Sequence, residues 1–316
     1  MASQGPDSAD ALALAIDLGG TKVEAALIRA DGSIVAGSRN RAATGDAAAH
    51  SRDAAAEALA TVLDSCVLSP EWPRVRAAGI GSAGPIDVAS GTIAPINLPA
   101  VHGFGIVDFT RERTGLRDVT LRLDGTCIAL AESWLGAARG VRNAIVLVVS
   151  TGVGGGIISD GRLVAGKSGN AGHLGQVIVD RIEGEPAAAT VEQLASGPHT
   201  VAWARAAGWS GETGEDLADD YFAGVPVAVE AVTRSAHAVG LGLVNASTLL
   251  DLELAVIGGG FATVADDYPE LVTDAIRAYA VNAYAADLRV VRAELGADAP
   301  LVGAAALVHR PDLLSP

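Results

Sequence analysis

The chain has 316 residues, half of them apolar, and a net charge of -15. That is enough apolar material for two lobes, and the acidic balance argues against nucleic acid, whose phosphates attract basic surfaces. Cys66 and Cys127 are too few for a disulfide scaffold and form no Cys-x-x-Cys pair.

The first ten residues are polar, with no charged-then-apolar leader. No apolar run in the sequence reaches the ~18–20 residues of a membrane span. A cytoplasmic protein without membrane contact is expected. Lys22 and Lys167 are the two lysines, against many arginines, which reads as a compositional bias.

Residues 11–17, 23–29 and 33–37 read as three strands in a meander, with Asp31-Gly32 as a turn. Between the first two lies Asp17-Leu18-Gly19-Gly20-Thr21-Lys22. A carboxylate, two glycines and a hydroxyl at a strand end form a turn whose N–H groups can face a phosphate. Asp17 is placed to hold magnesium, through water. Residues 46–66 read as a helix, Arg74 to Ile80 as a strand, 86–105 as loop and 106–115 as a short helix. Val119 to Leu123 is a strand ending at Asp124, and 125–139 a helix.

Asn143 to Ser150 is a β-branched strand, followed by a second glycine turn, Ser150-Thr151-Gly152-Val153-Gly154-Gly155-Gly156. A hairpin is expected around Asp160-Gly161, then helices at 191–207, 226–249 and 268–285. Leu252 to Ile257 precedes a third glycine run, Gly258-Gly259-Gly260, and Leu301 to Val308 closes the chain as a helix. Three glycine turns after buried strands suggest a nucleotide between two lobes. The lobes are expected at 1–122, joined by the closing helix in 300–316, and at 123–299. The order β-β-β-α-β-α starts again near residue 143, which hints at two related halves.

Together these residues resemble the ROK family of sugar kinases and repressors, within the actin/hexokinase-like ATPase fold. Asp17, Gly19, Gly20, Thr21 and Lys22 match its first phosphate motif; Thr151, Gly152 and Gly154 fall in the second; Gly258 to Gly260 match the adenosine-side motif. Pro85 and the Pro95 to Pro99 segment are also similar, with Asn97 as a sugar-contacting residue. Asp124 lands on the catalytic Asp, while Leu123 and Thr126 replace the two Asn of that motif.

In Ala171-Gly172-His173-Leu174-Gly175-Gln176 the family's sugar-binding Glu has become His173 and its His has become Gln176. No cysteine lies in 183–190, where the zinc motif belongs, so no structural zinc is expected. Glu192, a further sugar contact, is kept.

The resemblance implies an α/β, two-lobed actin-like ATPase (ribonuclease H-like) fold with a cleft between lobes, using ATP and Mg2+. Asp124 would orient the acceptor hydroxyl and take its proton. Asn97, Asp124, His173, Gln176 and Glu192 would bind the acceptor. Each residue has a plainer reading: Asp124 as a helix cap, Asp17 as a turn former, Glu192 as a first-turn carboxylate, His173 and Gln176 as structural polar residues, Lys22 as a surface charge. Glu212, Glu215, Asp216, Asp219 and Asp220 read as a solvated acidic face.

The expected acceptor is hexose-like with a 6-OH equivalent, and Leu123, His173 and Gln176 narrow it to a C7-cyclitol of a secondary-metabolite pathway. An aminosugar (kanosamine-type) kinase and a glucokinase are the alternatives, and a non-catalytic sugar-sensing ROK protein is the alternative of another class. About ten polar residues precede the first strand, so a DNA-binding segment is not expected. A homodimer is a possible assembly by family analogy.

Overall fold

The computed structural model describes residues 10–44, 51–96, 98–181 and 184–314. Its strands are, in order, Leu12–Leu18 (β1), Lys22–Ile28 (β2), Asn40–Ala43 (β3), Val75–Ser82 (β4), Ile86–Asp87 (β5), Thr92–Ile93 (β6), Val119–Leu123 (β7), Ala144–Val149 (β8), Val153–Ser159 (β9), Arg162–Leu163 (β10), Leu254–Gly258 (β11) and Arg289–Arg292 (β12). The fold is mixed α/β.

Contacts divide the chain into two units. The first is Met1–Leu135, Arg162–Ala171 and Ala297–Pro316; the second is Gly136–Gly161 and Gly172–Gly296. The helix Asp124–Leu135, placed from sequence in the second lobe, packs in the first unit against the helix Ala299–His309. The reason is steric: a Cβ on Gly303 would lie 1.7 Å from the Cys127 carbonyl oxygen, so the two backbones touch.

The first unit's sheet runs β3-β2-β1-β4-β7. β1, β2 and β3 pair antiparallel, and β1, β4 and β7 parallel. β1 is buried along its whole length, as a strand covered on both faces must be. Leu14, Ile16, Leu27, Leu59, Leu63 and Ile80 belong to its core. Burial of each such side chain contributes roughly 1.5–3 kcal/mol.

The second unit repeats the plan. β9 and β8 pair antiparallel, and β8, β11 and β12 follow in parallel. Its core is built around the helix Pro226–Leu250. That helix is, among the described residues, long and apolar enough to cross a membrane by length and composition, yet 56 % of its apolar window is buried inside the protein.

Several expected boundaries move. The strand expected at 33–37 is a single bridge from Ile34 to Ile28, and the third strand is Asn40–Ala43 instead. Of the helix expected at 46–66, residues 46–50 lie outside the described residues and Arg52–Val67 is helical, capped by Ser51. The helix expected at 191–207 is two, Val191–Ala195 and Gly197–Ala206, because Ser196 is extended and Pro198 opens a new first turn. The helix expected at 268–285 ends at Tyr279, and a short one follows at Ala283–Ala286. The acidic stretch is a helix, Gly214–Phe222, opened by a capping box between Thr213 and Asp216.

Candidate active site

In the first unit, strand pairing sets five residues in one row across the sheet: Arg41, Glu24, Asp17, Gly81 and Arg122. Asp17 is the next-to-last residue of β1 and is 6 % exposed. Gly81 beside it has no side chain, and the Cys127 sulfur fills part of that space, 3.1 Å from where a Cβ would be. Burial first, and the nearby Asp124 second, push the Asp17 carboxyl up to about 7, against a smaller opposing pull from Lys22. A carboxyl in that state has spare affinity for a cation, and an all-oxygen donor of this kind fits a hard ion such as magnesium.

Asp124 starts its helix directly after β7 and is half-buried. Its Oδ1 accepts the Gly125 N–H at 2.6 Å. Asp17 and Asp124 therefore share one electrostatic neighbourhood at the ends of β1 and β7. Cys127 lies there too, and burial with the two carboxyls holds its thiol protonated, far above the ordinary range.

The glycine turn after β1 is self-bonded: the Gly19 N–H donates to the Lys22 carbonyl at 2.9 Å, and the Thr44 N–H to the Thr21 carbonyl at 3.0 Å. Gly20 is half-buried and Thr21 exposed. The Lys22 ammonium does not reach outward from this turn. It sits 2.8 Å from the Glu24 carboxylate, a residue the sequence did not single out.

In the second unit, the turn after β8 is shorter than expected. It is closed by Ser150 N–H to Gly152 O at 2.9 Å, and Gly154 to Gly156 belong to β9. Glu192 reaches this turn: its Oε2 accepts the Val153 N–H at 2.8 Å, and its Oε1 accepts from Gln176 Nε2 at 3.1 Å. A Cβ on Gly152 would stand 2.7 Å from Glu192 Oε2, so a side chain there would press on this carboxylate.

His173 and Gln176 lie on a loop pressed against β9. A Cβ on Gly175 would be 2.0 Å from the Val153 carbonyl oxygen, and one on Gly172, where φ is +105°, would be 2.6 Å from the Gly155 carbonyl oxygen. His173, half-buried, and Gln176, exposed, are thereby fixed near the same turn as Glu192. Asn97 lies outside the described residues.

The third glycine run closes on the second. Gly259 has φ +101° and no room for a side chain beside Val149, while Gly260 faces the Ser150 side chain. Here a cleft of about 570 Å³ is lined by Ser150, Thr151, Gly197, Pro198, Gly260, Phe261 and the start of the Gly214–Phe222 helix. Pro198, Gly214 and Phe261 carry no chemical signature in sequence, which is why the reading missed them. Among the described residues, no group of three or more His, Cys, Asp and Glu side chains could hold a metal ion.

The fold and the paired strand-end carboxylates define an actin-like ATPase of the sugar-kinase class. The chain belongs to the ROK family, whose model matches residues 13–311. An N-acetylmannosamine kinase of Escherichia fergusonii is 32% identical over 300 residues, covering 94% of this chain and 98% of that protein. The crystal structure of a ROK hexokinase from Thermus thermophilus superposes with a TM-score of 0.79 at 35% identity, covering 93% of this chain and 96% of that one. A ROK family glucokinase from Streptomyces griseus, in complex with glucose and AMPPNP, gives 0.77 at 26% identity, covering 94% and 98%.

Proposed function

We propose that this chain transfers the terminal phosphoryl group of ATP to a primary hydroxyl of a hexose or N-acyl hexosamine. The observation that carries this reading is the pair Asp17 and Asp124, coupled at the ends of β1 and β7 within one unit. Phosphoryl transfer asks a protein for an aligned nucleophile, charge neutralisation and positioned donors. Asp124 is suited to accept the proton of the attacking hydroxyl and to aim its oxygen. Magnesium bound with the nucleotide supplies charge neutralisation on the phosphates, and Asp17 would hold it through water.

Gly19, Gly20, Thr21 and Lys22 would serve the phosphates in the first unit, with Lys22 acting at a distance from its seat on Glu24. Thr151, Gly152 and Gly154 would do so in the second. The cleft beside Gly258 to Gly260 has the volume for a nucleoside. For the acceptor, Asn97, His173, Gln176 and Glu192 are the assigned contacts. Glu192 is already committed to the Val153 N–H and to Gln176, so it reads hydroxyls as a fixed acceptor, not a mobile one.

The C7-cyclitol acceptor has no support in the relatives named above, which are kinases of N-acetylmannosamine and hexoses. The hexose and amino-hexose alternatives have that support. We assign no structural zinc, on the missing cysteines in 183–190, a cytoplasmic location, and a self-associating chain as the working assembly. The test is a panel of ATP-dependent assays on glucose, mannose, N-acetylmannosamine, kanosamine and a C7-cyclitol, with metal analysis of the purified protein. Turnover of none of these sugars would remove the proposal, and one zinc per chain would remove the zinc assignment.

A further inference from the structure

Glu24 lies in β2 directly opposite Asp17, and residues so opposed share one face of the sheet. It is 2 % exposed. A buried carboxylate facing another carboxylate is costly, and such charges persist only where they are paired. Glu24 is paired three times: Lys22 Nζ at 2.8 Å on Oε2, and Arg41 Nε at 2.7 Å and Arg39 Nε at 3.5 Å on Oε1. Arg39 also reaches Asp298 at 2.6 Å, just before the helix Ala299–His309. Glu24 thus ties together the phosphate turn, β3 and the C-terminal segment, all within the first unit.

Lys22 is the flexible member of this cluster. A lysine ammonium is a compact charge on a four-carbon stem and moves readily to another acid. Asp17 is the next carboxyl along the row, and it already feels the pull of the Lys22 charge. Building on the kinase reading, we propose that Glu24 is a positioning residue for phosphoryl transfer: it holds the Lys22 ammonium away from Asp17, so that the Asp17 carboxylate stays available to the nucleotide's metal. Removing the Glu24 charge lets Lys22 pair with Asp17 and take that carboxylate out of use. Removing Lys22 abolishes the competitor, so in a protein without Lys22 the loss of the Glu24 charge should matter little. A Glu24 that served only folding would show no such dependence of kcat on Lys22.

The experiment measures ATP turnover and sugar KM on the best acceptor for wild type, Glu24→Gln, Glu24→Asp, Lys22→Met and the double variant Lys22→Met/Glu24→Gln. Wild-type turnover tests the kinase reading on its own; the ratios among variants test Glu24. The expected result is a kcat loss of about tenfold or more in Glu24→Gln, with sugar KM changed by less than about twofold, and partial retention in Glu24→Asp. With Lys22 already removed, losing Glu24 should cost less than about threefold in kcat relative to Lys22→Met alone, a non-additivity that marks direct coupling. A Glu24→Gln enzyme within about twofold of wild type, or a double variant slowed relative to Lys22→Met by as much as Glu24→Gln is relative to wild type, overturns the proposal. Should Glu24→Gln alone fail to fold, the double variant decides: a folded double variant with kcat below about a tenth of that of Lys22→Met overturns the proposal.

Discussion

Asp17 and Glu24 face each other across the β1–β2 ladder and are driven to opposite ends of the carboxylate range. Burial and the nearby Asp124 raise Asp17 to about 7. Burial pushes Glu24 the same way, but hydrogen bonds from Lys22 and Arg41 outweigh it and hold Glu24 at about 2. Two acids one ladder step apart therefore answer pH with opposite signs.

The unfolded Asp17 ionises from its ordinary value of 3.8, while the folded one resists until about 7. Stability linked to Asp17 is intact below pH 4 and is lost as pH rises toward and through 7, by at most roughly 4 kcal/mol. Glu24 works in reverse: its contribution is present above its ordinary 4.5 and is lost as pH falls toward 2. In nucleotide-free protein, Asp17→Asn should therefore become more stable than wild type as pH rises from 5 to 8. Thermal unfolding across that range measures it. Parallel wild-type and variant curves would show that Asp17 is not held protonated by its surroundings.

Asp124→Ala should abolish turnover while the fold stays. The lost group is the proposed proton acceptor, whose contribution is typically 10²–10⁴-fold in rate. Its Oδ1 bond to the Gly125 N–H is a local helix-start contact, so the stability cost is about 1 kcal/mol. Initial-rate assays beside circular dichroism separate the two effects. Turnover within tenfold of wild type by the folded variant would remove Asp124 from the chemistry.

Much of the fold was legible because β1, β8 and β11 are apolar runs, as strands buried on both faces must be, while β4 and β7 keep enough apolar positions to read as strands despite Arg76 and Arg122. β12 was not legible: it is four residues long with an arginine at each end. The helix Gly214–Phe222 was hidden by its acids, although Thr213 and Asp216 carried the capping signal. Asp17 and Asp124 could be singled out because each stands at the C-terminal end of a strand within a motif similar to the family's. Glu24 could not, since its importance comes from Arg39 and Arg41 on a different stretch of chain. The Glu192 bond to the Val153 amide, 39 residues away, is equally invisible to any local pattern.

That bond leads to a further prediction. Glu192→Ala leaves the Val153 N–H without its acceptor and Gln176 without its partner. An unmet buried donor costs about 1–3 kcal/mol. The turn Ser150–Gly152 should loosen, sugar KM should rise about tenfold or more, and the Val153 amide should exchange faster with solvent. Hydrogen-exchange mass spectrometry over 148–158 reads the last effect. Unchanged protection there would mean that Glu192 does not hold the turn.

Gly303 gives a test in which two physical effects oppose each other. It sits inside the helix Ala299–His309, where alanine is favoured over glycine by about 1 kcal/mol. Propensity alone makes Gly303→Ala stabilising. The added Cβ, however, would lie 1.7 Å from the Cys127 carbonyl oxygen, a backbone atom that cannot turn aside. Overpacking of that kind costs about 1–3 kcal/mol and more where backbones must part, so the contact wins and Gly303→Ala should be destabilised by at least about 2 kcal/mol. The Asp124–Leu135 helix must shift to admit the methyl, and Asp124 and Cys127 move with it, so kcat should fall as well. Gly214→Ala is the control: it is also helical, and a Cβ there meets only the Phe261 ring at 3.9 Å. Chemical denaturation of both variants decides it, and a Gly303→Ala protein as stable as the Gly214→Ala protein would show that the two helices are not in backbone contact.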